Sequence, residues 1–353
     1  MKGTMKAAVM NQIGKFDFEE RPIPEVKDDE VLVKLDYVGI CGSDMHLFED
    51  GYIGENHVTK PMILGHEPGG VIVETGKDVT DLKVGDRVAI EPGIPCWKCE
   101  YCKSGRYNLC PNVYFYASLP VTEGAFVEYL SHPANLCYRL PDNVSTLEGA
   151  LMEPLAVGFH AALQSGAQVG STAVILGAGC IGLVTMLALK SMGVSTIIVV
   201  DLMQNRLNRA LSLGATSIVN AKENDSVQEV LKLTHGGGAD YVFETAGSEV
   251  TIFQTAKMVK RGGTITLVGY TKDGIAKMNV NWLIDNEITI KTVFRYRNIY
   301  PKAIAAVANG IIPLKKIASD IYDFKDIQAG MEHAIHDKDK VSKCVIRINP
   351  DAQ

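Results

Sequence analysis

Clusters of basic residues are missing from this chain of 353 residues, and so are long apolar runs. Its 35 Lys and Arg residues are outnumbered by 41 Asp and Glu residues, which gives a formal net charge of −6. Polyanions are held mainly by concentrated Lys and Arg, so nucleic acids and anionic membrane surfaces are not expected as partners.

A membrane-spanning helix needs about 20 continuous apolar residues, and the sequence contains none of that kind. The uncharged stretch from Ala161 to Leu189 is broken by Gly170, Gly177, Gly179 and Gly182, among others, and predicts a short strand followed by a helix. The first residues, MKGTMKAAVMNQIG, lack the apolar core of a signal peptide. We therefore expect a cytoplasmic protein that is neither exported nor embedded in a membrane.

Four of the eight cysteines are crowded between residues 96 and 110. In a reducing compartment such a cluster indicates metal binding rather than disulfides. A C-x2-C-x2-C-x7-C spacing predicts one tetrahedral zinc that holds a polar loop together. An iron–sulfur cluster is the alternative, but bacterial ferredoxins have three residues before the last Cys, where this chain has seven. The predicted ligands are Cys96, Cys99, Cys102 and Cys110.

The pattern of predicted strands and helices changes twice along the chain. Up to about residue 155, short β runs separated by Gly, Pro and Asp predict a mostly antiparallel β domain. Strands and helices then alternate to about residue 290, which predicts a parallel sheet covered by helices. A helix and the strand KCVIRI follow and indicate a return to the first domain. The predicted fold class is α/β, with one domain formed by 1–155 and 291–353 and the other by 156–290.

A glycine-rich segment, Gly177-Ala178-Gly179-Cys180-Ile181-Gly182, fits the pattern G-x-G-x-x-G. That pattern alone can be a simple turn, but here it follows an apolar strand and begins a helix, and Asp201 ends the next strand. This order is typical of a dinucleotide site with the pyrophosphate at the helix N-terminus. An Asp at this position accepts the ribose hydroxyls and repels a 2′-phosphate, so NAD is favoured over NADP.

A second set of possible metal ligands is dispersed: Cys41, His66, Glu67 and Glu153. Each has an ordinary explanation when taken singly, as a buried Cys, a capping His or a surface carboxylate. Mixed sulfur, nitrogen and oxygen donors in a chain with a redox-cofactor site instead predict a catalytic zinc. Such a zinc has about three protein ligands and one open position.

Several segments resemble the zinc-dependent medium-chain dehydrogenases. GHEPGGVIVETG and VGDRVAIEPG are similar to the family's zinc-dehydrogenase pattern, and CGSDMH, KPMILGHE, YRLPDNVSTLEGALMEPLAVG and TVFRYRNIYP resemble its polyol branch, the sorbitol (L-iditol) and xylitol dehydrogenases. The resemblance covers essentially the whole chain. It implies a GroES-like β-rich catalytic domain, a doubly wound Rossmann domain, NAD, two zinc ions per subunit and a homotetramer.

The resemblance also implies residue roles. Cys41, His66 and Glu67 would bind the catalytic zinc, with Glu153 as a neighbour or exchangeable ligand, and the four clustered cysteines would bind a structural zinc. Ser43 and His46 match proton-relay positions, and Phe115, Ser118, Arg295 and Tyr296 match the substrate pocket. The implied cofactor contacts are Gly177, Gly179, Cys180, Ile181, Gly182, Asp201, Arg206, Val268, Phe294 and Arg295. Leu47 stands where the polyol enzymes have a Tyr, so one phenol that could bind a distal hydroxyl is missing.

The expected reaction is oxidation of a polyol (sorbitol, L-iditol or xylitol) at C2 to the ketose, with hydride transfer to NAD. The proton would leave through Ser43 or a water linked to Glu153. Threonine or 2,3-butanediol is the alternative substrate, which the Arg295–Tyr296 pair disfavours because it suits a hydroxyl-rich molecule. A non-catalytic protein of the same fold is the remaining alternative, but such relatives tend to lose the zinc ligands.

Overall fold

The structure is a computed structural model that describes residues 1–272 and 274–352. The chain folds as two compact units: unit 1 contains Met1–Glu153, Tyr300–Gly310 and Leu314 onward, and unit 2 contains Pro154–Ile299 and Ile311–Pro313. The predicted division into a β-rich part and a helix-covered parallel sheet is confirmed. The domain borders inferred from the sequence, 155 and 290, stay predictions.

The strands, in chain order, are β1 (Thr4–Gln12), β2 (Lys15–Pro22), β3 (Glu30–Gly39), β4 (Tyr52–Ile53), β5 (Asn56–His57), β6 (Met62–Ile63), β7 (Glu67–Thr75), β8 (Arg87–Ile90), β9 (Gly93–Ile94), β10 (Tyr114–Phe115), β11 (Tyr129–Pro133), β12 (Cys137–Arg139), β13 (Thr172–Leu176), β14 (Thr196–Asp201), β15 (Ser217–Asn220), β16 (Ala239–Glu244), β17 (Val259–Leu267), β18 (Thr289–Thr292), β19 (Asp320–Asp323) and β20 (Cys344–Arg347). The α-helices are α1 (Gly42–Glu49), α2 (Glu100–Lys103), α3 (Thr146–Ser165), α4 (Cys180–Ser191), α5 (Gln204–Leu213), α6 (Ser226–Leu233), α7 (Glu249–Met258), α8 (Val280–Asp285), α9 (Tyr300–Ala308) and α10 (Ile327–His336). Short 3-10 turns cover Tyr107–Leu109, Ala134–Leu136, Leu314–Ile317 and Phe324–Asp326.

Unit 1 is built around β3, which pairs antiparallel with β7, β11 and β20. Its larger sheet has the order β12-β8-β7-β3-β20-β19, and a smaller sheet has the order β2-β1-β6. Nearly all of β3, EVLVKLDYVG, is buried, as expected for a strand covered on both faces. The ladder ends with Gly39 opposite Glu67, so the residues after β3 and before β7 meet at one edge.

Unit 2 contains a six-stranded parallel sheet in the order β15-β14-β13-β16-β17-β18. This is the order of two mononucleotide-binding halves joined at β13, where the direction of chain progression reverses. The apolar runs TAVIL and TIIVVD form β13 and β14 and are almost wholly buried. Ligands of such sheets bind beyond the carboxyl ends of the strands at the point of reversal.

A small lobe projects from unit 1 between β9 and β10. These two strands pair antiparallel, Gly93 with Phe115 and Ile94 with Tyr114, and they close the base of residues 95–113, which we call the cysteine lobe. α2 lies inside it. Across the described ranges, 1–272 and 274–352, no helix has both the length and the apolar character needed to cross a bilayer.

Candidate active site and metal centres

Cys41, His66 and Glu67 come together in unit 1, with one donor atom of each within 4.8 Å of the others. Cys41 follows β3 and caps α1, while His66 and Glu67 lie at the start of β7. Glu67 Oε2 is buried and accepts no hydrogen bond within the described part of the chain. A buried carboxylate oxygen without a partner is costly, and a cation beside it removes that cost. The donor set therefore fits a zinc ion.

Asp44 connects the two segments that carry these donors. Its Oδ2 accepts a hydrogen bond from the Cys41 backbone N–H and its Oδ1 one from that of Gly65, both at 2.9 Å. Asp44 Oδ1 also lies 3.6 Å from His66 Nδ1. Burial opposes ionisation of Asp44, but His66 and the backbone donors outweigh it and lower the carboxyl pKa. A carboxylate behind a metal-binding histidine is a common orienting partner.

The surroundings of His66 favour positive charge. Burial opposes protonation of the imidazole, yet Asp44 and Cys41 hold its pKa well above the ordinary value. When no metal is bound, the cluster therefore attracts a proton, and a dication satisfies the same negative potential. This is a second sign that the three donors suit a metal ion.

The predicted relay and ligand residues around the cluster lie at different depths. Ser43 is half-buried in the first turn of α1, and His46 is exposed three residues later, with Nδ1 3.4 Å from Asp50 Oδ2. Glu153 is buried in α3 but does not belong to the group of donors within 4.8 Å. Leu47 is fully buried in the apolar core of unit 1, so a phenol there would have to displace packed neighbours.

Phe115 contacts the cluster from the base of the cysteine lobe. Its ring centroid lies 5.4 Å from that of His66. The Ser118 hydroxyl forms a hydrogen bond within the protein: its Oγ donates to the Phe115 carbonyl at 2.9 Å. The Ser118 backbone N–H donates to Thr122 Oγ1, also at 2.9 Å. The structure thus gives Ser118 a part in holding the turn after Phe115.

The four thiols of the cysteine lobe converge, all within 4.8 Å of one another. Zinc–sulfur bonds of about 2.3 Å place the sulfurs of a tetrahedral site about 3.8 Å apart, so the spacing suits zinc. Backbone N–H groups already point at sulfur, from Cys96 to Cys110 Sγ at 3.4 Å and from Cys102 to Cys99 Sγ at 3.5 Å. Hydrogen bonds from the Lys98 and Cys99 backbone lower the Cys96 pKa to about 6. The backbone thus stabilises the Cys96 thiolate, whereas burial and the neighbouring thiols raise the pKa of Cys102 to about 12.

Glu91, which sequence reasoning missed, anchors this lobe to the large sheet. Its Oε1 accepts a hydrogen bond from the Tyr107 hydroxyl at 2.8 Å, and its Oε2 one from Tyr138 at 3.0 Å. His132 Nε2 donates to the Glu91 carbonyl at 3.0 Å. Burial raises the pKa of the Glu91 carboxyl to about 7, although both phenols oppose the shift. Nothing in its sequence neighbourhood, AIEPG, indicated this role.

The glycine-rich turn of unit 2 has the geometry that a pyrophosphate needs. Gly177 has φ of +104°, and a Cβ on Gly182 would collide with the Gly177 carbonyl. α4 begins at Cys180 with Gly179 as its N-cap, so Cys180 and Ile181 lie in the first turn. A Cβ on Gly179 would meet only Arg206 Nη1, at 3.8 Å. A ligand can therefore approach the backbone here, and the Arg206 guanidinium lies nearby.

Asp201 braces this turn from the end of β14. Its Oδ2 accepts a hydrogen bond from the Ala178 backbone N–H at 2.7 Å, and its Oδ1 one from Met203 at 2.8 Å. Val268 follows β17, and its N–H donates to the Glu244 carbonyl at 2.9 Å. The sequence predicted Asp201 as a ribose acceptor, and the structure adds that it holds the glycine-rich turn in place.

The segment after β18 has an unusual backbone. Arg295 and Asn298 have φ of +53° and +55°, which non-glycine residues seldom adopt. The Arg295 guanidinium stacks over the Phe294 ring at 4.7 Å, and Tyr296 is buried. Such strain often accompanies functional positions, and this is the segment that the sequence analysis connected with the substrate.

A dinucleotide-type parallel sheet and a cluster of one half-buried thiol, one buried imidazole and one buried carboxylate are typical of a metal-dependent oxidoreductase. Residues 27–142 match the family model "Alcohol dehydrogenase GroES-like domain" and residues 180–309 match "Zinc-binding dehydrogenase". The chain is 44% identical to the sorbitol dehydrogenase of Bacillus subtilis over 345 residues, 98% of each protein.

Solved dehydrogenase structures superpose closely on this chain. An Escherichia coli oxidoreductase/dehydrogenase of unknown specificity superposes with a TM-score of 0.94 at 44% identity, covering 98% of this chain and 100% of that one. The 2R,3R-butanediol dehydrogenase of Bacillus subtilis gives 0.89 at 32% identity, covering 98% and 100%. The chain belongs to the zinc-type medium-chain alcohol dehydrogenases. The predicted GroES-like and Rossmann folds are confirmed, and zinc and a nicotinamide dinucleotide are the cofactors of this family.

Proposed function

We propose that the chain is a zinc- and NAD-dependent polyol 2-dehydrogenase that interconverts a sugar alcohol, such as sorbitol, L-iditol or xylitol, and its ketose. The observation that carries the proposal is the cluster of Cys41, His66 and Glu67, in which His66 and Glu67 are buried and one Glu67 carboxylate oxygen accepts no hydrogen bond from any described residue. It occurs in a chain that is 44% identical, over 98% of its length, to a sorbitol dehydrogenase.

In this proposal Cys41, His66 and Glu67 hold the catalytic zinc. When bound, the zinc stabilises the alkoxide form of the substrate and so lowers the pKa of its reacting hydroxyl. Asp44 holds the Cys41 backbone through a hydrogen bond and places its negative charge 3.6 Å from His66 Nδ1. Phe115 packs against the imidazole.

The proton released from the substrate hydroxyl leaves along α1. Ser43 lies half-buried in the first turn of this helix, two residues after Cys41, and its hydroxyl can both accept and donate. His46 lies three residues further along, on the same face and exposed to solvent. The buried Glu153 is a second acceptor that a water molecule could connect to the same proton.

In this proposal unit 2 binds the cofactor. The turn at Gly177–Gly182 leaves room for a pyrophosphate at the N-terminus of α4, and Arg206 adds a positive charge beside it. Asp201 accepts the ribose hydroxyls and disfavours a 2′-phosphate, so NAD is used rather than NADP. When bound, NAD takes up the hydride from the substrate carbon.

Arg295 and Tyr296 bind the part of the polyol beyond the reacting carbon. A guanidinium offers five N–H donors in a fixed plane, enough to bridge neighbouring hydroxyls. Stacking on Phe294 limits how far this guanidinium moves. A short alcohol has no use for such a group, which is why we favour a hydroxyl-rich substrate.

The substrate class is tested by initial rates of NAD reduction with sorbitol, xylitol, L-iditol, ribitol, galactitol, L-threonine and 2,3-butanediol. We expect the highest kcat/KM with one of the first three. The similarity to 2R,3R-butanediol dehydrogenase makes 2,3-butanediol the second candidate. If 2,3-butanediol or L-threonine exceeds every polyol, the polyol assignment fails. Light scattering on the same preparation checks the predicted homotetramer.

A further inference from the structure

Lys343 is the most deeply buried cation next to the cluster of metal donors. Its side chain is 4% exposed, and that of its partner Glu67 is 1% exposed. The ammonium forms a close ion pair with Glu67 Oε1 and donates to the Ile40 carbonyl at 2.8 Å. A Lys is rarely buried to this degree without a specific partner.

Strand pairing in unit 1 places Lys343 at this position. Lys343 immediately precedes β20, which pairs with β3 so that Val345 lies opposite Gly39. Gly39 is also opposite Glu67, and a Cβ on Gly39 would collide with Glu67 Oε2 and lie 3.0 Å from Lys343 Cε. The glycine thus leaves the space that the carboxylate and the lysine stem share. Ser319 holds the Lys343 backbone in place through hydrogen bonds to its N–H and carbonyl.

The two oxygens of Glu67 have different environments. Oε1 is occupied by Lys343, whereas Oε2 is buried without a hydrogen bond from any described residue. One carboxylate therefore stands between a fixed ammonium and the donors of Cys41 and His66. Charge on the ammonium draws electron density away from the metal and opposes the binding of a dication.

We propose that Lys343 is a positioning residue that weakens the hold of Glu67 on the catalytic metal. It retains the carboxylate through one oxygen, so that Glu67 acts as a loosely held ligand that gives way when substrate occupies the open position. The proposal rests on the metal site of the proposed function. A purely structural lysine would support the fold of unit 1 but would not change how fast the metal is released.

The test measures zinc release from the purified holoenzyme to a chromogenic chelator. Cys41→Ser identifies the kinetic phase that belongs to this site, because the phase is missing from that variant. Lys343→Met removes the charge, and Lys343→Gln removes it while keeping a donor for Glu67, which preserves the fold if the methionine does not. Lys340→Met is the matched control, since Lys340 forms an exposed ion pair with Asp337 three residues away.

We expect Lys343→Met and Lys343→Gln to slow this phase by about tenfold or more, because the ion is then opposed by one positive charge fewer. Lys340→Met should release zinc at the wild-type rate. Cobalt substituted at the site should show a changed visible spectrum in the Lys343 variants, because Glu67 becomes a firmer ligand. A folded Lys343 variant that releases zinc at the wild-type rate or faster overturns the proposal.

The same experiment separates this proposal from the proposed function. If wild type and Cys41→Ser contain equal amounts of zinc, the metal site itself is wrong and the proposal for Lys343 falls with it. If Cys41→Ser loses one zinc while the Lys343 variants release zinc normally, the metal site stands and only the role of Lys343 is refuted.

Discussion

Phe115 connects the two clusters of candidate metal ligands in unit 1: its ring packs on His66, while its backbone pairs with Gly93 at the base of the cysteine lobe. A change in the lobe therefore reaches the cluster of Cys41, His66 and Glu67 through one residue. The route is short and entirely local, because β9 and β10 each contain only two residues.

The first prediction concerns this connection. Wild type should contain about two zinc ions per subunit, and Cys99→Ser about one. Cys99→Ser should lower the melting temperature and also reduce kcat/KM several-fold, because Phe115 is less firmly held. Elemental analysis, calorimetry and steady-state rates measure these effects.

Two further variants serve as controls for that prediction. Cys41→Ser should also lose one zinc but abolish turnover while leaving the melting temperature close to that of wild type. Cys137→Ser removes a buried cysteine outside both clusters and should keep two zinc ions. The assignment is wrong if iron is found, or if Cys99→Ser retains two zinc ions.

The second prediction separates the two roles of Asp201. Wild type should prefer NAD over NADP. Asp201→Asn should narrow this preference yet keep an acceptor for the Ala178 N–H, whereas Asp201→Ala should also lose that hydrogen bond. A hydrogen bond to a charged group contributes about 1.5–3 kcal/mol, so kcat/KM for NAD should fall by about tenfold or more in Asp201→Ala.

The measurement for Asp201 is kcat/KM with each cofactor, and Glu223→Ala is the control because Glu223 is an exposed acid of the same unit. Equal kcat/KM for NAD and NADP in wild type would contradict the assignment of Asp201. Equal losses in the Asn and Ala variants would show that its hydrogen bond to the turn is unimportant.

The third prediction concerns Arg295. Arg295→Ala should reduce kcat/KM for sorbitol or xylitol by at least about tenfold, since hydrogen bonds to distal hydroxyls are lost and each 1.36 kcal/mol is tenfold in rate. The rate with 2-propanol should change much less, because it has no distal hydroxyls. Arg295→Lys keeps the charge without the planar donors and should give an intermediate loss. Equal losses with both substrates would indicate that Arg295 acts on the cofactor or the metal rather than on the substrate.

The fourth prediction is a pH dependence of stability caused by Glu91. Its pKa rises from 4.5 in the unfolded chain to about 7 in the fold. The folded state therefore holds a proton that the unfolded state has released, and stability falls as pH rises between these two values. At 1.36 kcal/mol per unit the loss is about 3 kcal/mol, complete above the folded pKa.

Glu91→Gln cannot ionise and should remove this slope. Melting temperatures of wild type and variant at pH 5 and pH 8 measure the difference, and Glu100→Gln, which changes an exposed acid of the lobe, should behave as wild type. The same slope in Glu91→Gln and wild type would show that another group is responsible.

Sequence reasoning was most successful where the evidence lies in a short segment. The four cysteines of the lobe lie within fifteen residues, and their spacing alone indicated the cluster that the structure shows. The glycine-rich turn and Asp201 are likewise separated by one helix and one strand. Patterns of this length reflect local geometry, which the chain itself specifies.

Residues that act across the fold were missed. Lys343 meets Glu67 at a sequence separation of 276 residues, and nothing in KVSKCVIRI distinguishes it from a surface lysine. Glu91 binds Tyr138 because the large sheet pairs their strands, and it binds Tyr107 because the cysteine lobe folds back onto this sheet. Asp44 could have been recognised from the sequence, since an acidic residue at the third position of a helix often caps the start of that helix. Reading CGSDMH for its capping as well as its metal ligand would have identified it.

The pairing of Gly93 with Phe115 has a consequence for protein engineering. The chain enters and leaves residues 95–113 through the paired strands β9 and β10, so this segment forms a cassette with its two ends side by side. Exchange for a shorter loop would sacrifice the hydrogen bond from Tyr107 to Glu91 but would leave the path of the surrounding strands unchanged. A segment inserted in this manner can be gained, altered or discarded in evolution without redesign of the scaffold that supports it.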